Sequence, residues 1–111
     1  MVISQGEVWW ADLPEPSASF RPPVVVVQGE AFNRSQISTV VCVPLTSNLR
    51  WAEAPSNVLL ASKVTGLSKD SVANVSQLVT LDKSSLTDRA GKLSKAKLDL
   101  VLFGIDVLLG R

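Results

Sequence analysis

The chain has no histidine and only one cysteine, Cys42, in 111 residues. Histidine is the commonest general acid or base and the commonest metal ligand, and thiolate zinc cages need several cysteines. An enzyme with this sequence would therefore work without a histidine, and no metal or cofactor is expected. A lone cysteine also excludes an internal disulfide; its valine neighbours mark it as a small core hydrophobe, and a reducing cytoplasm is the expected compartment. An excess of one charge is missing too. Eleven Lys and Arg face ten Asp and Glu, a net charge of +1, so no global field draws the chain to nucleic acid and any such role must rest on a local patch. Met1 to Gly6 has neither the basic start nor the long apolar run of a signal peptide. The most apolar segment, Leu98 to Leu109, is interrupted by Asp99, Gly104 and Asp106 and is shorter than the ~20 apolar residues of a membrane span, so a soluble protein without a membrane partner is expected. There is no internal repeat, Gly-rich phosphate loop, linker or low-complexity tract.

What remains is a single domain over residues 1–111, long enough to bury roughly 60 to 70 per cent of the surface its unfolded chain exposes. The organising stretch is Val40 to Asn48, reading Val-Val-Cys-Val-Pro-Leu-Thr-Ser-Asn. A short, mostly β-branched apolar run bounded by a turn signal reads as a strand covered on both faces. Pro44 lacks a backbone donor and places its position on an edge strand or at a bulge. Thr46, Ser47 and Asn48 then stand at the strand exit, where loops on a rigid scaffold carry chemistry, although the same three residues are also ordinary turn formers.

The other elements follow in order. Gly6 to Leu13 is a first strand, and Pro14 to Phe20 a Pro- and Ser-rich loop. Arg21 follows directly, at the mouth of a second strand over Val24 to Val27 that Pro22 and Pro23 hold extended; an arginine there is either a site residue or a solvated strand end. Ala31 to Ser35 is one helical turn. Thr39 to Leu45 is the central strand, Leu49 to Ser56 a polar loop in which Trp51 serves as a partial core plug or as a base-stacking platform, and Asn57 to Ala61 a fourth strand. Ser71 to Val75 and Gln77 to Leu81 read as strand pieces broken near Ser76, Asp82 to Leu86 as a helical turn, and Gly91 to Leu93 as a brief extended return. Short strands with frequent turn signals indicate a small antiparallel barrel or sandwich.

Ser94 has the character of an N-cap for a helix running to about Leu109, with Gly110 as terminator. At 100 degrees per residue, Leu98, Val101, Leu102, Ile105, Leu108 and Leu109 form one apolar stripe, and Ala96, Leu100, Phe103 and Val107 a second. Polar seams separate them. One stripe suits the domain's own sheet; the other implies a symmetric dimer, or else a covering loop.

The order of these residues resembles the MazF/PemK-like toxins of bacterial toxin-antitoxin systems over nearly the whole chain. The resemblance is carried by Gly6-Glu7-Val8-Trp9-Trp10-Ala11-Asp12-Leu13, Arg21-Pro22-Pro23-Val24-Val25-Val26, Val43-Pro44-Leu45-Thr46-Ser47-Asn48, Gly66-Leu67-Ser68-Lys69-Asp70-Ser71-Val72, Gln77 and the terminal helix. It implies an SH3-like β-barrel with a C-terminal α-helix, a homodimer, and a metal-independent endoribonuclease acting on single-stranded RNA at short sequences. It also implies inhibition by a cognate antitoxin whose C-terminal segment lies in the RNA groove. By carry-over Arg21 and Thr46 are the catalytic pair, and Ser19, Ser47, Asn48, Arg50, Ser71 and Gln77 contact RNA. Arg34, Arg50, Lys63 and Lys69 are candidates for the local positive patch. The chain departs from the family pattern in its first loop, which is short and lacks a Gly-Ser-Glu-like element; Glu15 and Ser19 are the residues available to stand in for it.

Two other readings use the same barrel. One is a gyrase poison resembling CcdB, acting through the end of its terminal helix, which Leu102-Phe103-Gly104-Ile105 superficially echoes. The other is a non-catalytic SH3-like module that binds peptides, for which Trp51 would matter more than Arg21.

Overall fold

Strand β3, Thr39–Thr46, holds the sheet together by pairing with three other strands. The computed structural model describes residues 2–12 and 21–111. Along one edge of β3 runs β2, Pro23–Val26, with Val24 opposite Pro44 and Val26 opposite Cys42. The other edge is shared: β6, Val79–Asp82, pairs with Thr39 to Cys42, and β5, Ser71–Ala73, pairs with Leu45 and Thr46. Pro44 thus lies within an interior strand, not on an edge or bulge as its chemistry suggested. It is tolerated because it falls where β3 leaves β6 and joins β5, so the N–H it lacks interrupts neither ladder.

The full order is β4-β5-β3-β2-β1-β7, with β1 at Glu7–Ala11, β4 at Val58–Leu60 and β7 at Leu86–Lys92, every pair antiparallel. The sheet curls into an open half-barrel with a C-terminal helix, the mainly β architecture expected. Strand β7 differs from expectation, which allowed only a brief extended piece at Gly91 to Leu93. Its sequence, Leu-Thr-Asp-Arg-Ala-Gly-Lys, has no apolar alternation because it is the outer edge of the sheet, and charged side chains there keep other chains from pairing. Elsewhere the short elements fall close to where they were expected. Helices α1, Glu30–Asn33, and α2, Ser62–Thr65, are single turns, and tight turns at Val75–Gln77 and Lys83–Ser85 separate β5 from β6 and β6 from β7.

Alternate residues of β2, and Val27 just beyond it, serve two cores. Val25 and Val27 join Val8, Val43, Leu45, Leu60, Val75 and Val101 on the helix side, while Val24 and Val26 join Ile3, Trp9, Val40, Cys42 and Leu86 on the other. Both faces of the strand are buried, so its sequence is continuously apolar. Glu7 is buried with three donors satisfying it: Ser4 N at 2.8 Å, Trp9 Nε1 at 3.1 Å and Arg89 Nε at 2.9 Å.

Helix α3, Lys95–Leu108, starts at Ser94, whose hydroxyl accepts from Lys97 N at 3.3 Å. It stops at Gly110, whose φ of +76° other residues rarely adopt. Leu98, Val101, Leu102 and Ile105 pack on the core, whereas Leu100, Phe103 and Val107 are exposed, so the two stripes separate as the periodicity predicted. Leu108 and Leu109 are a correction. They are exposed, because the last turn runs beyond Ile105, the final helix residue packed against the core. Gly104, placed on a polar seam, is buried where α3 meets the backbone before β4; a β-carbon there would lie 2.5 Å from the Ser56 carbonyl oxygen.

Candidate active site

Alternation along β1 sends Trp9 into the core and Trp10 to the wall of a cavity of about 400 Å³. Pro23 of β2, Leu45 and Thr46 of β3, Ser47, Leu67, Ser68, Lys69 and Ser71 complete the lining among the described residues. The end of β3 therefore does deliver its hydroxyl groups to a recess. Thr46 also performs the turn role: its Oγ1 accepts from Asn48 N at 3.1 Å, and Asn48 Oδ1 accepts from Arg50 N at 3.2 Å, capping a short 3₁₀ helix over Leu49–Glu53. These bonds hold the strand exit in one shape. Ser71 is brought in by β5, where it sits opposite Leu60 of β4, almost wholly buried at the cavity floor.

Arg21 is not among the residues lining this cavity; it stands two residues before Pro23, which is. Trp10 is paired with Pro23 on one strand and with Asp88 on the other, and Asp88 Oδ2 accepts from Arg21 Nη2 at 2.8 Å. Asp12 Oδ1 accepts from Arg21 Nε at 3.0 Å, and Thr87 Oγ1 lies 2.6 Å from Nη2. Sequence reasoning missed these three partners, as it missed Trp10, because none stands out in a linear motif.

The remaining assigned residues divide. Asn48 and Arg50 line a neighbouring recess of about 300 Å³ with Trp51 and Glu53. Trp51 is 49% exposed, so about half of its ring is open to a ligand and the rest packs on the loop. Asn57 braces this loop: its Nδ2 donates to the Trp51 carbonyl at 2.9 Å, and its Oδ1 accepts from Val75 N at 2.9 Å. Gln77 is exposed at the end of the turn after β5 and does not line either recess. Lys69 is the one member of the expected basic patch in the main cavity. Lys63 is exposed on α2, and Arg34 lies in a separate hollow with Val2, Ile3, Asn33, Ser35 and Lys83. Ser19 and Glu15 lie outside the described residues, as does the loop that carries them. Among the described residues no cluster of three or more His, Cys, Asp or Glu could hold a metal ion.

A recess walled by an aromatic ring, four hydroxyl side chains and a lysine suits an anionic, planar-ringed ligand such as a nucleotide. Residues 4–109 match the model of the PemK-like, MazF-like toxins of type II toxin-antitoxin systems. The chain belongs to that family. Endoribonuclease MazF6 of Mycobacterium tuberculosis is 47% identical over 96 residues, covering 84% of either chain. Endoribonuclease EndoA of Bacillus subtilis is 32% identical over 104 residues, covering 91% of this chain and 89% of its own. Among solved structures, a mycobacterial endoribonuclease in complex with its cognate antitoxin superposes with a TM-score of 0.76 at 25% identity, covering 98% of this chain and 94% of that one. MazF from Deinococcus radiodurans gives 0.80 at 20% identity, covering 100% and 99%, a likeness of fold. The MazF-like chain is an endoribonuclease toxin, and none of its described helices is long and apolar enough to cross a membrane.

Proposed function

We propose that this MazF-like toxin cleaves single-stranded RNA at short sequences without a metal ion, by attack of the substrate's own 2'-hydroxyl on the adjacent phosphate. The products would be a 2',3'-cyclic phosphate and a 5'-hydroxyl. The reading is supported by the meeting of Thr46, Ser47, Lys69 and Ser71 in one cavity, with Arg21 two residues before cavity-lining Pro23. Such a reaction needs its hydroxyl held in line and the charge on the phosphorane stabilised. Arg21 suits the second task. A guanidinium stabilises charge and does not shuttle a proton; with Nε and Nη2 engaged by Asp12, Asp88 and Thr87, it is the Nη1 hydrogens that would meet phosphate oxygens. Thr46 donates to the phosphate or orients the attacking hydroxyl, and Lys69 adds positive charge. Ser47, Asn48, Arg50 and Ser71 contact the RNA strand, as do Ser19 and Gln77.

The test is incubation with a long, weakly structured RNA in excess chelator, mapping every new end beside Arg21→Ala and Thr46→Ala. Cuts at a recurring short sequence with 5'-hydroxyl ends, lost in both variants, are expected. Intact RNA with folded protein would overturn the reading and return weight to a gyrase poison or a peptide-binding module.

Two partners follow. A cognate antitoxin would lay its C-terminal segment across the same cavity; that a similar mycobacterial endoribonuclease is in complex with its cognate antitoxin supports an antitoxin partner. A second copy of the chain would cover the outer face of α3, where Leu100 and Phe103 border a hollow of about 300 Å³ with Leu59. Cytoplasmic residence is consistent with a lone buried cysteine.

A further inference from the structure

Arg21 is held from two sides by carboxylates that reach it from different strands. Asp12, just past β1, engages Nε at 3.0 Å, and Asp88 of β7 engages Nη2 at 2.8 Å. Thr87 Oγ1 takes a second bond from Nη2 at 2.6 Å, and its hydroxyl donates in turn to the Trp10 carbonyl at 3.3 Å. These bonds use Nε–H and both Nη2 hydrogens, so the guanidinium plane is defined by the register of β1 against β7. The holders are themselves tied down: Asp12 N donates to the Ser85 carbonyl at 2.7 Å, and Asp88 is the cross-strand partner of cavity-lining Trp10.

An arginine on a strand end, with 41% of its side chain exposed, would otherwise turn through many rotamers. A group that stabilises developing charge contributes most when it is already in place before the charge develops. The arrangement also carries an electrostatic cost. Two carboxylates within hydrogen-bond range of one cation leave a local charge of −1 beside a proposed phosphate site, which weakens ground-state attraction for RNA. A surface pair retained only for stability would need neither the second carboxylate nor the hydroxyl, and exposed pairs of this kind add little stability.

We infer that Asp88, with Thr87 and Asp12, is a positioning residue that sets the orientation in which the Arg21 guanidinium meets the scissile phosphate. The inference rests on the catalytic reading of Arg21 given above. Asp88→Ala removes the acceptor, and Asp88→Asn keeps an oxygen acceptor while removing the charge. If orientation is what matters, Asp88→Ala lowers kcat about tenfold to a hundredfold, in the range that small misplacements of a positioned group cost, with KM within about twofold of wild type. Asp88→Asn then recovers most of kcat. The Arg21 Nη2 hydrogens in ¹⁵N-edited NMR at low temperature, assigned by their loss in Arg21→Lys, report the Asp88 bond directly, and their signals should be retained in Asp88→Asn but shifted and fast-exchanging in Asp88→Ala.

A wild-type kcat in Asp88→Ala, an equal loss in both variants, or a change confined to KM overturns the inference. Arg21→Ala in the same series separates the two levels. If Arg21→Ala is inactive while Asp88→Ala cuts at the wild-type rate, only the positioning role fails. If Arg21→Ala still cuts, or the wild type cuts no RNA, the catalytic reading of Arg21 fails and the positioning role with it.

Discussion

Gly66 and Gly91 lie back to back at the seam between α2 and β7. A β-carbon on Gly91 would stand 2.5 Å from the Thr65 carbonyl oxygen, and one on Gly66 would meet the Ala90 carbonyl. Gly66 also ends α2 in the left-handed region, with φ of +82°. The seam matters to the site because Gly66 leads directly into Leu67, Ser68 and Lys69 on the cavity wall, while the strand of Gly91 carries Thr87 and Asp88 to Arg21. Backbone contact without side chains joins the cavity wall to the strand that holds Arg21.

Gly91→Ala should therefore destabilise the fold by about 1 to 3 kcal/mol, since backbone on one side cannot yield as a flexible side chain would. Thermal unfolding followed by circular dichroism should show Tm lower by roughly 5 °C or more. A wild-type Tm would mean that the seam opens at little cost.

Trp51 offers an exposed ring beside Asn48, Arg50 and Glu53, on a loop whose backbone Asn57 fixes. Stacking of a base on such a ring is worth about 1 to 3 kcal/mol, so Trp51→Ala should weaken binding of a non-cleavable RNA by roughly tenfold or more with Tm nearly unchanged. Fluorescence anisotropy and thermal unfolding on the same samples check this. A lowered Tm with unaltered affinity would assign the ring to the structure instead.

Phe103 is 66% exposed on the outer face of α3, among Leu100, Val107 and Leu59. Phe103→Glu would place a charge against its counterpart across a two-fold axis. Sedimentation at micromolar concentration should find a dimer for the wild type and a monomer for the variant. A monomeric wild type would remove the dimer from the proposal.

The Glu30 carboxyl is held below its ordinary value of 4.5, first by the Asn33 side-chain amide and then by the Gln5 backbone N–H, each donating at 2.8 Å. Because the folded state favours the ionised form, this contribution is present above the unfolded pKa and is lost as pH falls through the lower folded one. Urea unfolding should find Glu30→Gln less stable than wild type at pH 7, with the gap narrowing as pH falls below 4.5. A gap that persists in acid would assign the loss to packing and not to charge.

Burial pushes the Cys42 thiol from 9.0 up to about 12, so in the folded chain it is neither ionised nor accessible at neutral pH. Thiol reagents should leave native protein unmodified and label it only at the rate of unfolding. Above pH 9 the unfolded chain ionises first, so this group lowers stability as pH rises toward 12. Rapid labelling under native conditions would contradict this placement.

Much of the fold was legible because its signals are local. Valine runs at Val24–Val27 and Val40–Val43 read as strands buried on both faces, Ser94 and Gly110 marked the ends of α3, and the two apolar stripes anticipated one covered and one open face. Strand β7 was not legible, since an edge strand made of Thr, Asp, Arg and Lys has turn-like composition and gains its conformation only from pairing with β1. Leu108 and Leu109 misled for the complementary reason: periodicity gives the side of the helix they occupy and not where the core ends.

The site divides along the same line. By itself the sequence determined which residue types were at hand: no histidine, an arginine at a strand mouth, and hydroxyl and amide groups at a strand exit. Only the tertiary structure decided who meets whom. Arg21 and Asp88 are 67 residues apart, and their contact exists because β1 lies between β2 and β7 in one particular register. Trp10 joins Thr46 and Lys69 at one cavity in the same way. Strand pairing over long sequence separation depends on the summed burial of all seven strands, and no single stretch of the chain contains that sum.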